Sequence, residues 1–299
     1  MRIALLSRNP RLYSTSRLVE AARARLHEID IIDPIGCVVV IARGTQRMFF
    51  RGVEVLGYDV VIPRIGASIT DYGLAVLAYF QRHGVPCVNT PLSIARSRDK
   101  LRALQRLSAD DVGIPRTAIA RDPTAIRAAI DAVGGTPVII KLLQGTQGVG
   151  VMIADSPEGV ESTLDTLWGL GQNIILQEFI AESRGRDLRA VVVGGELVGA
   201  MRRTAREGEF RSNLHRGGAG RPVTLDEEYR HAALRAVEII GLEVAGVDML
   251  ESHEGPRVIE VNSSPGLRGI ESATEVDVAA RIIEHAERLV CEQRPQAPL

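Results

Sequence analysis

The 299-residue chain is short of several things, and each shortage excludes something. No stretch approaches the run of 18 or more apolar residues that crosses a bilayer, and the opening MRIALLSRNP is a charged, strand-like segment without a cleavage signal. A soluble, cytoplasmic protein with no membrane contact is expected. Cysteine is scarce: Cys37, Cys87 and Cys291 stand singly, with no CxxC pair and no His/Cys ladder at zinc spacing, so each reads as an inert reduced thiol. An excess of one charge is also missing. The 36 basic and 37 acidic residues leave a net charge of -1, and aromatics make up 4%, so neither a bulk field nor stacking platforms favour direct nucleic-acid binding.

Two glycine fingerprints are absent too. The first turn, SRNPRLYS, is glycine-poor where a dinucleotide fold needs G-x-G-x-x-G, which disfavours an NAD enzyme. The glycines after Lys141 do not have the G-x-x-x-x-G-K-[ST] spacing of a P-loop ATPase.

What is present is enough apolar residue, 45%, to fill a real core in a chain long enough for two or three domains. Residues 1–95 alternate strand-like runs (RIALLS, EIDIID, YDVVIPRIG, VPCVN) with helical periodicity (STSRLVEAARARL, TDYGLAVLAYFQRHG), predicting a small α/β domain with a largely parallel sheet. Thr90-Pro91 fits a helix start and Gly113-Ile114-Pro115 a helix stop. Residues 96–180 then read as an α+β unit: two strands around a glycine loop in TPVIIKLLQGTQGVGVMIA, a helix from Pro157 to about Trp168, and the strand NIILQEFI. In 181–290, Gly194-Gly195 signals a hairpin, and Thr224 to Glu227 forms a capping box for a helix that ends at Gly241. EVAGVDMLES and PRVIEVN make another hairpin, and residues 291–299 read as a flexible tail.

That last hairpin carries chemistry. Glu260 and Asn262 are two apart on one strand, so they share a face about 6.5 Å apart, together with Val258, while Ile259 and Val261 point away. Asp248 lies on the partner arm. Two carboxylates and an amide offer only oxygen, which suits a hard ion such as Mg²⁺, and a bridging Glu260 would allow two ions. A solvated Asp248 and a turn-forming Asn262 fit the same residues. Lys141 follows an apolar run, where a lysine is costly to bury, and precedes Gly145, Gly148 and Gly150, a loop able to bring backbone N–H groups to phosphates. Glu178 and Phe179 end a strand, where backbone groups can meet an adenine edge. Asp187 can accept from ribose hydroxyls, and Arg189 reads as a surface ion pair. Arg211, Asn213, His215 and Arg216 stand in a polar, glycine-flanked loop, FRSNLHRGG.

Taken together, Lys141 with its glycine loop, QEF at 177–179, Asp187, and Asp248, Glu260 and Asn262 in VDML and IEVNSSPG resemble an ATP-grasp ligase. The resemblance implies two α+β subdomains gripping ATP, preceded by an α/β pre-ATP-grasp domain, and so covers nearly the whole chain. ARSRDKLRALQRL, KLLQGTQGVGV, FRSNLHRGG and NSSPGLRGIE are most similar to the RimK-type ligases, which add glutamate to the C-terminus of the sixth small-subunit ribosomal protein. Arg268, where that pattern has Glu, and Ser263, where it has a different small residue, depart from it.

By this resemblance Lys100 and Lys141 bind ATP phosphates, Glu178 and Phe179 the adenine, and Asp187 the ribose, while Arg211, Ser212 and Asn213 close over the nucleotide. Asp248 and Glu260 hold one Mg²⁺ or Mn²⁺, and Glu260 with Asn262 a second. Lys141, Arg211 and Asn213 act on the transferring phosphoryl group. Arg64, Arg202, Arg203, Arg216 and Arg268 are candidates for selecting glutamate. A homo-oligomer, a tetramer in related ligases, is expected. Two alternatives stand beside this reading: an ATP-grasp ligase for a small molecule or another carrier protein, and a nucleotide-binding regulatory module without catalysis.

Overall fold

The computed structural model describes residues 1–143, 150–212 and 217–293. From the N-terminus, β1 (Arg2–Leu6), α1 (Tyr13–Ala24) and β2 (Glu28–Ile32) lead into an antiparallel sheet of β3 (Cys37–Ala42), β4 (Thr45–Phe50) and β5 (Val53–Glu54). β6 (Val60–Pro63) then returns beside β1, and α2 (Thr70–Arg82) follows. The parallel sheet has the order β2-β1-β6; β6 and, after Arg2, β1 are apolar runs because both of their faces are covered. VPCVN contributes one bridge, Cys87 beside Val61, rather than a full strand. The sheet β3-β4-β5 is an addition to the expected elements, since CVVVIA carries no apolar/polar alternation. Cys37 and Cys87 are free thiols whose pKa values burial pushes up, to about 11 and about 12, which suits inert residues.

Two helices join this part to the next. α3 (Pro91–Arg98) starts on Thr90, whose hydroxyl accepts from the Ser93 N–H, with Pro91 at the first helical position. Asp99 both ends α3 and caps α4 (Lys100–Ala109), accepting from the Arg102 N–H. The break places Lys100 at the start of α4, which stops at Ala109, ahead of the expected Gly113 signal.

The central part holds β7 (Thr117–Ala118), α5 (Ile126–Ala132), β8 (Val138–Leu142), β9 (Val151–Ala154), α6 (Pro157–Gly169) and β10 (Ile174–Glu178), with an antiparallel sheet β7-β10-β8-β9. Period two sorts its side chains. Val138, Ile140, Ile174 and Leu176 pack with Ile130 of α5 and Leu164 of α6, leaving Ile139, Lys141, Ile175 and Gln177 for the opposite face.

The C-terminal part holds β11 (Arg186–Val193), β12 (Glu196–Thr204), β13 (Ala219–Pro222), α7 (Glu227–Ile240), β14 (Val244–Ser252), β15 (Gly255–Asn262), α8 (Leu267–Thr274) and α9 (Val278–Gln293). Its sheet runs β13-β12-β11-β14-β15, antiparallel throughout. Gly194 and Gly195, at φ +57° and +76°, make the tight β11–β12 turn, and Gly241 ends α7 at φ +81°. The cap of α7 is Asp226, accepting from the Tyr229 N–H, rather than Thr224; an acid there also meets the positive end of the helix. One face of the sheet packs Leu188, Ala190, Val247, Met249 and Val258 against α7. The other is apolar only at one end, where Val191, Val193 and Val244 meet α8 and α9. α9 runs on through Cys291 and Glu292 to Gln293, so the tail begins later than position 291; 294–299 lie outside the described residues. No described helix is long and apolar enough to cross a membrane.

Candidate active site

The polar face of the central sheet and the polar end of the C-terminal sheet line one cleft. Lys141 enters it because β8 alternates: the residue after the buried Ile140 must turn the other way, beside Ile139. Its ammonium donates to Gln177 Oε1 on β10, and Gln177 Nε2 in turn donates to Thr117 Oγ1 at 2.9 Å. Burial pushes the Lys141 pKa down to about 8, against the opposing pull of Glu260. Lys100, from the first turn of α4, donates to the Leu142 carbonyl at 3.4 Å and is lowered by burial, again opposed by Glu260.

Across the cleft the register builds a charged row. Arg189 on β11 stands opposite Asp248 on β14, and Asp248 stands opposite Glu260 on β15. Arg189 donates to both Asp248 oxygens, Nε to Oδ1 at 2.7 Å and Nη2 to Oδ2 at 2.6 Å, so the expected ion pair forms but is largely buried rather than on the surface. Arg203 on β12 grips both oxygens of Asp187 and reaches Asp248 Oδ2 at 3.1 Å. Burial works against ionisation of Asp248, but Arg189 and Arg203 overcome it and hold the acid below its ordinary range. Glu260 makes no hydrogen bond or ion pair among the described residues.

A β-bulge between Asp248 and Met249 corrects the expected face sharing. Val258 and Val261 both enter the core against α7, while Ile259 and Glu260 both border the cleft. Strict alternation would have put Val258 with Glu260. Asn262 stands opposite Gly246, where a Cβ would come within 2.9 Å of Pro265; glycine lets the turn after β15 fold back on the sheet.

Other expected residues are placed as follows. Phe179 borders the cleft with Ile139, Val151, Ile175, Leu250 and Ile259, an apolar wall suited to a flat ring. The carboxylate of Glu178 turns away from a ring: it accepts from the Arg116 N–H at 3.1 Å and from Arg116 Nη2 at 2.7 Å, and that pairing lowers its pKa. Arg211 and the buried Ser212 border the cleft, with Arg211 donating to both oxygens of Glu209. Asn213, His215, Arg216, Gly145 and Gly148 lie outside the described residues.

The arginine candidates separate clearly. Arg203 is buried between two acids, Arg202 pairs with Glu251 at 2.6 Å, and Arg268 lies over the Tyr13 ring at 5.1 Å. Arg64 donates to the Pro265 carbonyl at 2.7 Å, beside the turn that follows Asn262, and burial lowers its pKa to about 10, with the charge of Arg98 adding to the effect. Gln177 lines the cleft and Arg98 a cavity beside it, and periodicity reveals neither role.

Residues 97–286 match the model of the RimK-like ATP-grasp domain, and residues 1–94 that of the RimK pre-ATP-grasp domain. The chain belongs to the RimK-like ATP-grasp family. It is 52% identical over 296 residues to a probable alpha-L-glutamate ligase of Thioalkalivibrio sulfidiphilus, covering 99% of this chain and 98% of that one. A protein of the same name from Saccharophagus degradans is 54% identical over 287 residues, with 96% and 95% covered. Among solved structures, the ATP-grasp ligase PsnB complexed with a minimal precursor superposes with a TM-score of 0.77 at 22% identity, covering 96% and 98% of the two chains. The RimK domain ATP-grasp protein of Sphaerobacter thermophilus gives 0.71 at 25%, covering 96% and 100%. The fold is therefore ATP-grasp with a pre-ATP-grasp domain, and the protein is an ATP-dependent ligase.

For an ATP-grasp ligase the donor set fits a divalent ion. Among the described residues no three His, Cys, Asp or Glu gather at metal-binding separation, and both Asp248 oxygens already accept from Arg189, so an ion there would have to share Asp248 with a guanidinium. Asp248 and Glu260 in direct register, with Asn262 on the same strand, supply hard oxygens only. PsnB has been solved with Mg and ADP at a TM-score of 0.73 and 22% identity, covering 96% of this chain and 98% of that one.

Proposed function

We propose that this ligase adds glutamate to the C-terminus of a small-subunit ribosomal protein. ATP converts the terminal carboxylate to an acyl phosphate as ADP leaves; the α-amine of glutamate then attacks the acyl carbon, phosphate departs, and the amine gives up its proton as the amide forms. The observation that carries the glutamate assignment is the 52–54% identity to alpha-L-glutamate ligases over nearly the full chain. A polypeptide acceptor is supported by fold neighbours solved with precursor peptides.

On this reading the apolar wall and the Glu178–Phe179 strand end take the adenine, and Asp187 the ribose. Lys100 and Lys141 neutralise phosphates, while Arg211, Ser212 and Asn213 close over them, with Arg211 shared between Glu209 and the nucleotide. Asp248 and Glu260 would hold one Mg²⁺ or Mn²⁺, and Glu260 and Asn262 a second. When bound, such ions neutralise charge on the transferring phosphoryl group. The chain itself must bring acyl phosphate and amine together, and positioning of that kind lowers a barrier by roughly 7–11 kcal/mol. The same reading places the enzyme in the cytoplasm as a homo-oligomer, which light scattering checks.

The test incubates the enzyme with ATP, Mg²⁺, glutamate and purified ribosomal protein or its C-terminal peptide. Whole glutamate residues should appear on the acceptor by mass spectrometry, with ADP formed only when all components are present. ADP release with glutamate alone, and no mass gain, sinks this choice in favour of a small-molecule ligase.

A further inference from the structure

A second cavity, of about 770 Å³, opens on the other side of Glu260, lined by Arg98, Lys100, Asn262, Ser263, Thr70 and Tyr72 among others. Arg98, Asn262 and Ser263 of its wall, and Ser264 next along the turn, carry an unusual set of groups. Arg98 Nε, Asn262 Nδ2, Ser263 Oγ and Ser264 Oγ are all buried without a hydrogen-bond partner. Each such atom costs about 1–3 kcal/mol unless something satisfies it, so four together mark a place where something does. Nearby, Arg64 and Arg98 donate to backbone carbonyls, of Pro265 and Ile65, both at 2.7 Å; among the described residues neither forms an ion pair, and Glu260 attracts Arg98 only through space.

The groups are also held rigidly. Asn89 donates to the carbonyls of Val244 and Ser263 and accepts from the N–H groups of Glu243 and Val244, at 2.8–3.1 Å, fixing the turn after β15 against the end of α7. Two half-buried guanidinium groups with no ion pair among the described residues, beside a fixed cluster of unpartnered donors, are complementary to an anion with several acceptor oxygens. Guanidinium and carboxylate match in geometry as well as charge. On the opposite side of Glu260 the nucleotide phosphates already have Lys141, while Lys100 borders both cavities.

We infer that Arg98 and Arg64, with the turn Asn262–Ser264, form the subsite that holds a substrate carboxylate beside Glu260. The inference rests on the reading of the enzyme as a ligase joining a carboxylate to an amino acid. Two substrates carry such a group: free glutamate and the polypeptide's C-terminus. The shared chemistry is recognised, and kinetics distinguish the source.

Arg98→Gln and Ser263→Ala are assayed against wild type, with glutamate and the acceptor peptide varied separately and with ATP affinity measured in the absence of both. Arg98→Gln should raise the KM of one carboxylate substrate at least tenfold while the Kd for ATP stays unchanged, and Arg98→Lys should recover part of the loss. Ser263→Ala, which removes a buried unpartnered hydroxyl and so should not lower Tm, should raise the same KM several-fold. Whichever KM moves identifies the occupant. Unchanged KM values for both substrates in the Ser263→Ala and arginine variants, or an equal loss of ATP affinity, overturn the subsite. The shifts are read on whatever carboxylate substrate wild type turns over. Failure of glutamate as a substrate therefore counts against the glutamate assignment alone.

Discussion

Asp248 and Glu260 face each other in direct register across β14 and β15, yet only Asp248 is paired, held by Arg189 and Arg203, while Glu260 has no bonded partner among the described residues. Glu260 acts on Lys141 and Lys100 only through space, so removing it breaks no hydrogen bond or ion pair among the described residues and should not unfold the protein. Glu260→Ala should therefore keep its melting temperature within a few degrees of wild type and lose on the order of 10²–10³ or more in kcat. Normal ADP production by this variant would remove Glu260 from the reaction. Asn262→Asp keeps an oxygen and adds a charge, so it should retain some activity with an altered Mg²⁺/Mn²⁺ preference, read by titrating each ion.

The Asp187–Arg203–Asp248–Arg189 network behaves in the opposite way, because it is part of the fold. Arg203→Met leaves Asp187 without its partner and Asp248 with one arginine instead of two, in a buried setting. Removing one member of a buried pair costs about 3–5 kcal/mol, so urea unfolding of this variant should shift by about that amount. A variant as stable as wild type would mean that water replaces the guanidinium at that site.

Parts of this arrangement were legible in the sequence for reasons that the structure makes plain. Lys141 stood out because a strand with three apolar residues before it leaves a lysine costly to bury, and β8 does aim it into the cleft. The hairpin carrying Asp248 and Glu260 was readable from its two apolar arms and the glycine between them. The bulge at Ile259 was not, since Val258, Ile259 and Val261 are interchangeable in pattern and only packing against α7 decides which of them turn inward. The pairing of Arg189 and Arg203 with buried acids was not legible for a related cause: a cross-strand ion pair depends on register, which no local run of residues states. Arg98 comes to share a cavity with Asn262 and Ser263 only through tertiary folding, more than 160 positions along the chain.

Gly113 gives a test of how β15 is held. Its carbonyl accepts from the Val258 N–H at 2.8 Å, beside the bulge, and a Cβ there would lie 2.5 Å from the Pro256 carbonyl oxygen. That neighbour is backbone and cannot rotate away. Gly113→Ala should cost about 1–3 kcal/mol in urea unfolding and also reduce kcat, because the strand displaced is the one that carries Glu260. Wild-type stability would show that the exit from α4 can shift without disturbing β15.

Lys141 connects stability, pH and nucleotide binding. Burial lowers its folded pKa from 10.5 to about 8. Between those values the unfolded chain binds the proton and the folded chain does not, so stability should rise as pH climbs through that window; below about 8 the full cost of the buried charge is present. At roughly 1.4 kcal/mol per pKa unit this cost is at most about 3 kcal/mol. Lys141→Met should then be more stable than wild type at pH 7 without nucleotide, by about 2–3 kcal/mol, and the gap should close towards pH 10. Adding ATP should reverse the order, since bound phosphates repay the buried charge in wild type and find nothing in the variant. Urea unfolding at pH 7 and pH 9.5, with and without ATP, gives all four values. A variant less stable than wild type at pH 7 would show that the hydrogen bond to Gln177 outweighs the burial of the charge.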